Sequence, residues 1–88
     1  MERKEIHIHH KLIEKAKQLD RKAQGKLYEH YHKAMFNASR RIVNDSFLAE
    51  DIMHDAFIDA FKKIETLIDN RNFGAWLKRI VINKSIIN

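Results

Sequence analysis

The chain has 88 residues and reads as one domain, a size that buries roughly 60–65% of the surface its unfolded chain exposes. A hydrophobic content of 44% excludes a disordered tail, two glycines and no proline favour helix, and the lack of cysteine excludes disulfides and thiolate metal sites. The net charge of +5 and pI near 9.6 favour polyanionic partners, no apolar run reaches the roughly 18 residues of a membrane span, and Met1-Glu-Arg-Lys-Glu5 opens no signal peptide, so a cytoplasmic protein is expected.

Periodicity predicts four helices. The first covers about Ile6–Gln18, with Ile6, Ile8, Leu12, Ile13 and Ala16 apolar, and Leu19-Asp20 breaks it. Asp20 is a candidate N-cap for the second helix, because its carboxylate can accept from the unpaired amides of the next turn. That helix runs to about Val43, with Ala23, Leu27, Tyr31, Ala34, Ala38 and Ile42 as its buried stripe. Lys22, Lys26, Lys33 and Arg40 share a narrow sector on the other side, either a solvated face or a set of phosphate contacts.

Asn44-Asp45-Ser46 is a turn with two candidate caps for the third helix, about Phe47–Glu65. Its core stripe is Ala49, Met53, Ala56, Phe57, Ala60 and Ile64, flanked by Ile52 and Phe61. Its outward sector holds Asp51, His54, Asp55, Ile58, Asp59 and Lys62. An apolar side chain ringed by charges has the make-up of an interface, although one exposed isoleucine is also ordinary. Asp51 and Asp55 stand one turn apart on an open helix without a pocket to raise a pKa, which argues against a catalytic pair.

Thr66–Asn72 is a loop, and Asn70 or Asn72 is expected to cap a fourth helix that continues to the chain end. Phe73, Trp76, Leu77, Ile80 and Val81 belong mainly to its core side, while Ile82 and Ile86 sit off that face. Arg79 and Asn83 lie beside Trp76, with Lys78 and Lys84 nearby. Cationic groups hold phosphates, and an asparagine amide can pair with a base edge. Short connections imply a compact all-α bundle of about four helices with antiparallel neighbours. The six histidines include His7, His9 and His10, yet zinc needs three or four convergent ligands, so neither a metal nor any other cofactor is expected.

Three blocks carry a resemblance: DRKAQGKLYEHY from Asp20, AEDIMHDAFIDAF from Ala49 and FGAWLKRIVIN from Phe73. In order and spacing they resemble conserved region 2 of the extracytoplasmic function (ECF) sigma factors, initiation subunits of bacterial RNA polymerase. The resemblance covers about residues 6–88. It implies that the acidic third helix docks on the clamp helices of the polymerase's largest subunit through Asp51, Asp55 and Ile58. His54 and Lys62 complete that face, with His54 standing where the family commonly has glutamine.

The resemblance further implies that the loop and fourth helix bind the promoter −10 element and capture a base flipped from the non-template strand. Leu67, Asp69, Asn70, Arg71 and Asn72 match the loop, and Trp76, Arg79 and Asn83 match the helix, with Lys84 beside them. Unstacking a base costs a few kilocalories, offset by pocket contacts and backbone neutralisation, and the subunit is not an enzyme. Ile68 and Asn70 depart from the family's most frequent loop residues, which leaves the preferred base open. The family's −35-binding domain is absent from these residues, so a truncated promoter-binding domain is expected, with room for an anti-sigma factor as a further partner. The competing expectation is a small helical protein–protein adaptor whose basic stripe is plain surface.

Overall fold

A computed structural model describes residues 2–87, with side chains from residue 9 onward. The described chain forms four α-helices: α1 (Glu2–Lys17), α2 (Arg21–Val43), α3 (Ser46–Lys62) and α4 (Phe73–Ile87). Two 3₁₀ turns, Ile64–Thr66 and Asn70–Asn72, bridge α3 to α4. The all-α bundle agrees with the periodicity, but α1 runs Glu2–Lys17 rather than Ile6–Gln18. Ile6, His7 and Ile8 lie outside the described side chains.

Local chemistry sets each boundary. Leu19 turns the chain between α1 and α2 in the left-handed region (φ 65°), and the Asp20 carboxylate caps α2 by accepting from the Ala23 amide at 3.1 Å. At the far end of α2, Asn44 takes a left-handed φ of 55° and its amide returns to the Arg40 carbonyl. Asp45 then caps α3, accepting from the Phe47 and Leu48 amides. Of the two expected caps there, Asn44 therefore ends α2 and Asp45 starts α3. Arg40 braces the turn by donating to Ser46 Oγ and Asn44 Oδ1, which removes it from the basic stripe. Lys22, Lys26 and Lys33 remain exposed.

The longest helix, α2, packs against all three others, so its stripe decides the core. Ala23, Leu27 and Ala38 are buried as expected and Tyr31 is half-buried, but Met35 and Ser39 replace Ala34 and Ile42, which are exposed. The spacing of four from Ala23 through Leu27 and Tyr31 continues to Met35 and Ser39, on the side where α4 crosses. There Ser85 Oγ, buried, donates to Ser39 Oγ at 2.8 Å. The α3 stripe is buried as expected from Ala49 to Ile64, and Ile52 joins it. The helix itself stops at Lys62, three residues before the expected end, and Ile64 reaches the core from the first 3₁₀ turn. In α4, Phe73, Leu77 and Val81 are buried while Trp76 and Ile80 pack half-exposed against them. Gly74 permits this approach: a Cβ there would stand 3.3 Å from Tyr31 Cε1.

Candidate functional site

The loop and α4 enclose a cleft of about 530 Å³ lined by Thr66, Leu67, Ile68, Asp69, Asn72, Ala75, Trp76 and Arg79. Its floor is apolar, from Leu67, Ala75 and the half-exposed Trp76, whose ring leans on Phe73 with centroids 6.0 Å apart. Ile68 stands at the rim with 98% of its surface exposed, an orientation that leaves an apolar side chain against solvent at the mouth. Arg79 is exposed and its side chain makes no hydrogen bond or ion pair among the described residues, and the Asn83 side chain one turn further on is the same. A flat apolar floor beside an unneutralised guanidinium suits a planar ring attached to a phosphate.

Of the loop residues singled out from the sequence, Leu67, Asp69 and Asn72 line this cleft, and Arg71 is exposed at its edge. Arg71 forms a two-pronged pair with Asp69, Nε to Oδ1 at 3.1 Å and a guanidinium nitrogen to Oδ2 at 2.9 Å. Hydrogen bonds from Arg71 hold the Asp69 carboxyl below the usual carboxylate range. Asp69 also accepts from the Arg71 amide and so caps the second 3₁₀ turn, which leads directly into α4, the helix that Asn70 or Asn72 was expected to cap.

Asn70 is not among the residues that line the cleft. Its side chain points away from the cleft, is 8% exposed, and is engaged by α1: Nδ2 donates to Glu14 Oε2 at 2.6 Å and to His10 Nδ1 at 3.2 Å, while Oδ1 accepts from Lys17 Nζ at 2.8 Å. Both amide hydrogens of Asn70 are thus engaged within the fold. Lys84 is likewise engaged within the fold: its ammonium lies 2.7 Å from Asp59 Oδ2, tying α4 to α3, and that hydrogen bond holds the Asp59 carboxyl below the usual range.

The second surface is the outer face of α3. Asp51, His54, Asp55, Ile58 and Lys62 are all exposed, Ile58 by 53%. Asp51 and Asp55 form no ion pair among the described residues, in contrast to Asp59. His54 Nε2 lies 2.9 Å from the Tyr28 hydroxyl, and Tyr28 stacks on His32 with planes 7° apart. This fixes His54 against α2, a contact that its sequence spacing did not announce.

Among the described residues no group of three or more His, Asp or Glu side chains converges as a metal site. No helix among them is long and apolar enough to cross a membrane.

The family model described as sigma-70 region 2 matches residues 27–86. The chain is 33% identical over 76 residues to the ECF RNA polymerase sigma factor SigW of Bacillus subtilis, an alignment covering 86% of this chain and 41% of that protein. It is 33% identical over 73 residues to the ECF sigma factor BldN of Streptomyces coelicolor, covering 82% and 28%, and 31% identical over 72 residues to the RNA polymerase sigma-H factor of Pseudomonas aeruginosa, covering 82% and 37%. The chain therefore spans less than half the length of each of these relatives. No solved structure matches it significantly. The matched residues begin inside α2 and take in α3, both 3₁₀ turns and nearly all of α4, so both surfaces fall within them, and the chain belongs to the sigma-70 region 2 family as a region 2 domain of the ECF type.

Proposed function

We propose that this domain acts in transcription initiation without catalysing a reaction: the α3 face docks on RNA polymerase core, and the cleft binds the non-template single strand of the promoter −10 element. The cleft carries the reading. Loop and helix residues separated by up to 13 positions enclose a space with an aromatic floor and a free Arg79, at the positions the sequence resemblance assigned to base capture.

A base that leaves the duplex loses stacking worth a few kilocalories, and stacking on an aromatic side chain returns about 1–3 kcal/mol. Trp76 offers that surface, Arg79 neutralises an adjoining phosphate, and the Asn83 amide stands one turn further along the helix. Single strand held this way favours the open duplex, so melting is a consequence of binding. The contacts assigned to DNA are accordingly Leu67, Asp69, Arg71, Asn72, Trp76, Arg79 and Asn83, with Asn70 and Lys84 as supports.

On α3, Asp51 and Asp55 present carboxylates without an ion-pair partner among the described residues, on the same exposed face as Ile58. Such a face fits a partner helix with basic residues around an apolar contact, as on the polymerase clamp. The test is direct binding of the chain to purified polymerase core and to a fluorescent non-template −10 oligonucleotide across a salt series. The account expects both to bind, with oligonucleotide affinity falling as salt rises. Absence of both interactions, or core binding with no oligonucleotide binding at low salt, favours the adaptor reading instead.

A further inference from the structure

The wall of the cleft is held from outside the matched region. Lys17, the last residue of α1, donates from Nζ to the Leu67 carbonyl at 2.8 Å and to Asn70 Oδ1 at 2.8 Å. Glu14, one turn earlier, accepts from Asn70 Nδ2 at 2.6 Å and pairs with Lys17 at 3.6 Å. His10 takes the second Asn70 contact through Nδ1. Three side chains on one face of α1 thus converge on a single buried amide 53 to 60 residues away in sequence. The segment they grip, Leu67–Asn70, supplies cleft lining at Leu67, Ile68 and Asp69.

We propose that α1 is a clamp that sets the shape of the cleft: Glu14 and Lys17 are positioning residues that act through Asn70 to hold the loop in a base-accepting form before DNA arrives. The inference rests on the cleft being the base-binding site and adds the residues that prepare it. Its physical basis is preorganisation. A loop already fixed in the bound form loses little conformational freedom on binding, whereas a loose loop must be ordered at the expense of affinity. Lys17 suits the task because one ammonium has several donors and fastens a backbone carbonyl and a side-chain carbonyl together. The lowered Glu14 carboxyl, caused first by its hydrogen bond from Asn70, agrees with a contact formed by the carboxylate.

Trp76 is the single tryptophan of the chain and lines the cleft, so its fluorescence reports the site directly. The experiment compares the 88-residue chain with Glu14→Ala, Glu14→Gln and Lys17→Met. Two quantities are read: collisional quenching of Trp76 by acrylamide without DNA, and the affinity ratio between a −10 non-template oligonucleotide and versions with an abasic site at each position in turn. Glu14→Ala and Lys17→Met are expected to increase quenching and to shrink the largest abasic ratio about fivefold, the fold-change of one hydrogen bond. Glu14→Gln keeps a carbonyl acceptor for Asn70 and is expected to retain most of the ratio.

A contact that merely stabilises the bundle would lower the melting temperature and leave the abasic ratio where it was. Unchanged quenching and an unchanged ratio in Glu14→Ala overturn the clamp. Glu14 is exposed enough for that variant to fold even where Lys17→Met does not. A chain whose unsubstituted form shows no abasic ratio at any position instead refutes base capture, and Trp76 quenching then decides alone whether α1 holds the loop.

Discussion

The cleft and the α3 face are built in opposite ways. Asp51, Asp55 and Ile58 come from one helix, four and three residues apart, and their placement follows once α3 buries its stripe of Ala49, Met53, Ala56, Phe57 and Ala60. The cleft combines a loop, a helix face and a brace from α1, and its wall depends on hydrogen bonds that span 50 to 60 residues. A surface carried by one helix persists while that helix persists. A surface assembled across the chain can lose its shape while every helix remains. The two regions meet at the Asp59–Lys84 pair, where α3 and α4 are joined.

Substitutions that treat the two regions differently sharpen this contrast, and one that treats them alike marks its limit. Leu77 is fully buried where α4 meets the core, so Leu77→Ala should cost about 2–5 kcal/mol and remove both binding activities together, as thermal denaturation and the two assays would record. Asp51→Arg should weaken core binding by roughly tenfold or more through like-charge contact, with the melting temperature and oligonucleotide binding unchanged. Arg79→Ala should leave core binding intact and reduce the salt slope of single-strand binding by about 0.7, the share of one phosphate on a single strand.

The seam gives a pH-dependent test. Asp59 has a folded pKa lowered by Lys84, so its contribution to stability is present above the ordinary carboxylate range and is lost as pH falls through the lowered value. The stability gap between the natural chain and Lys84→Met should therefore exist at neutral pH and close in acid, as denaturant titrations at several pH values would measure. The smallest effect is at Gly25, exposed within α2, where a Cβ would meet nothing within 4 Å. Gly25→Ala should stabilise by about 0.5–1 kcal/mol and alter neither surface.

The contrast also explains what was legible in the sequence. Helical periodicity carried α2, α3 and α4 and nearly all of the α3 stripe, because local spacing decides those features. Periodicity misplaced Ala34 and Ile42, because small apolar residues on both sides of α2 left the stripe open to two continuations and the α4 crossing selected Met35 and Ser39. The end of α3 was overrun because Ile64 keeps the apolar register after the helix gives way to a 3₁₀ turn. Arg79 and Asn83 stand out beside Trp76 from side-chain chemistry and helical spacing alone, and the resemblance to known blocks adds the loop and the base-capture role. Glu14, Lys17 and the inward turn of Asn70 were missed, since on α1 they read as an ordinary i, i+3 ion pair and nothing local points to a loop 53 residues away. Lys84 was assigned by proximity to Asn83, and its pairing with Asp59 becomes apparent only when α3 and α4 are packed.

The proposed function requires that one small bundle carry two separable binding surfaces. Its most direct test crosses Asp51→Arg and Asn83→Ala with both partners, measuring affinity for polymerase core and for the −10 single strand in all four combinations. The account predicts that each substitution weakens its own partner several-fold and leaves the other within experimental error. Loss of both activities from either substitution, or of neither from both, would contradict it.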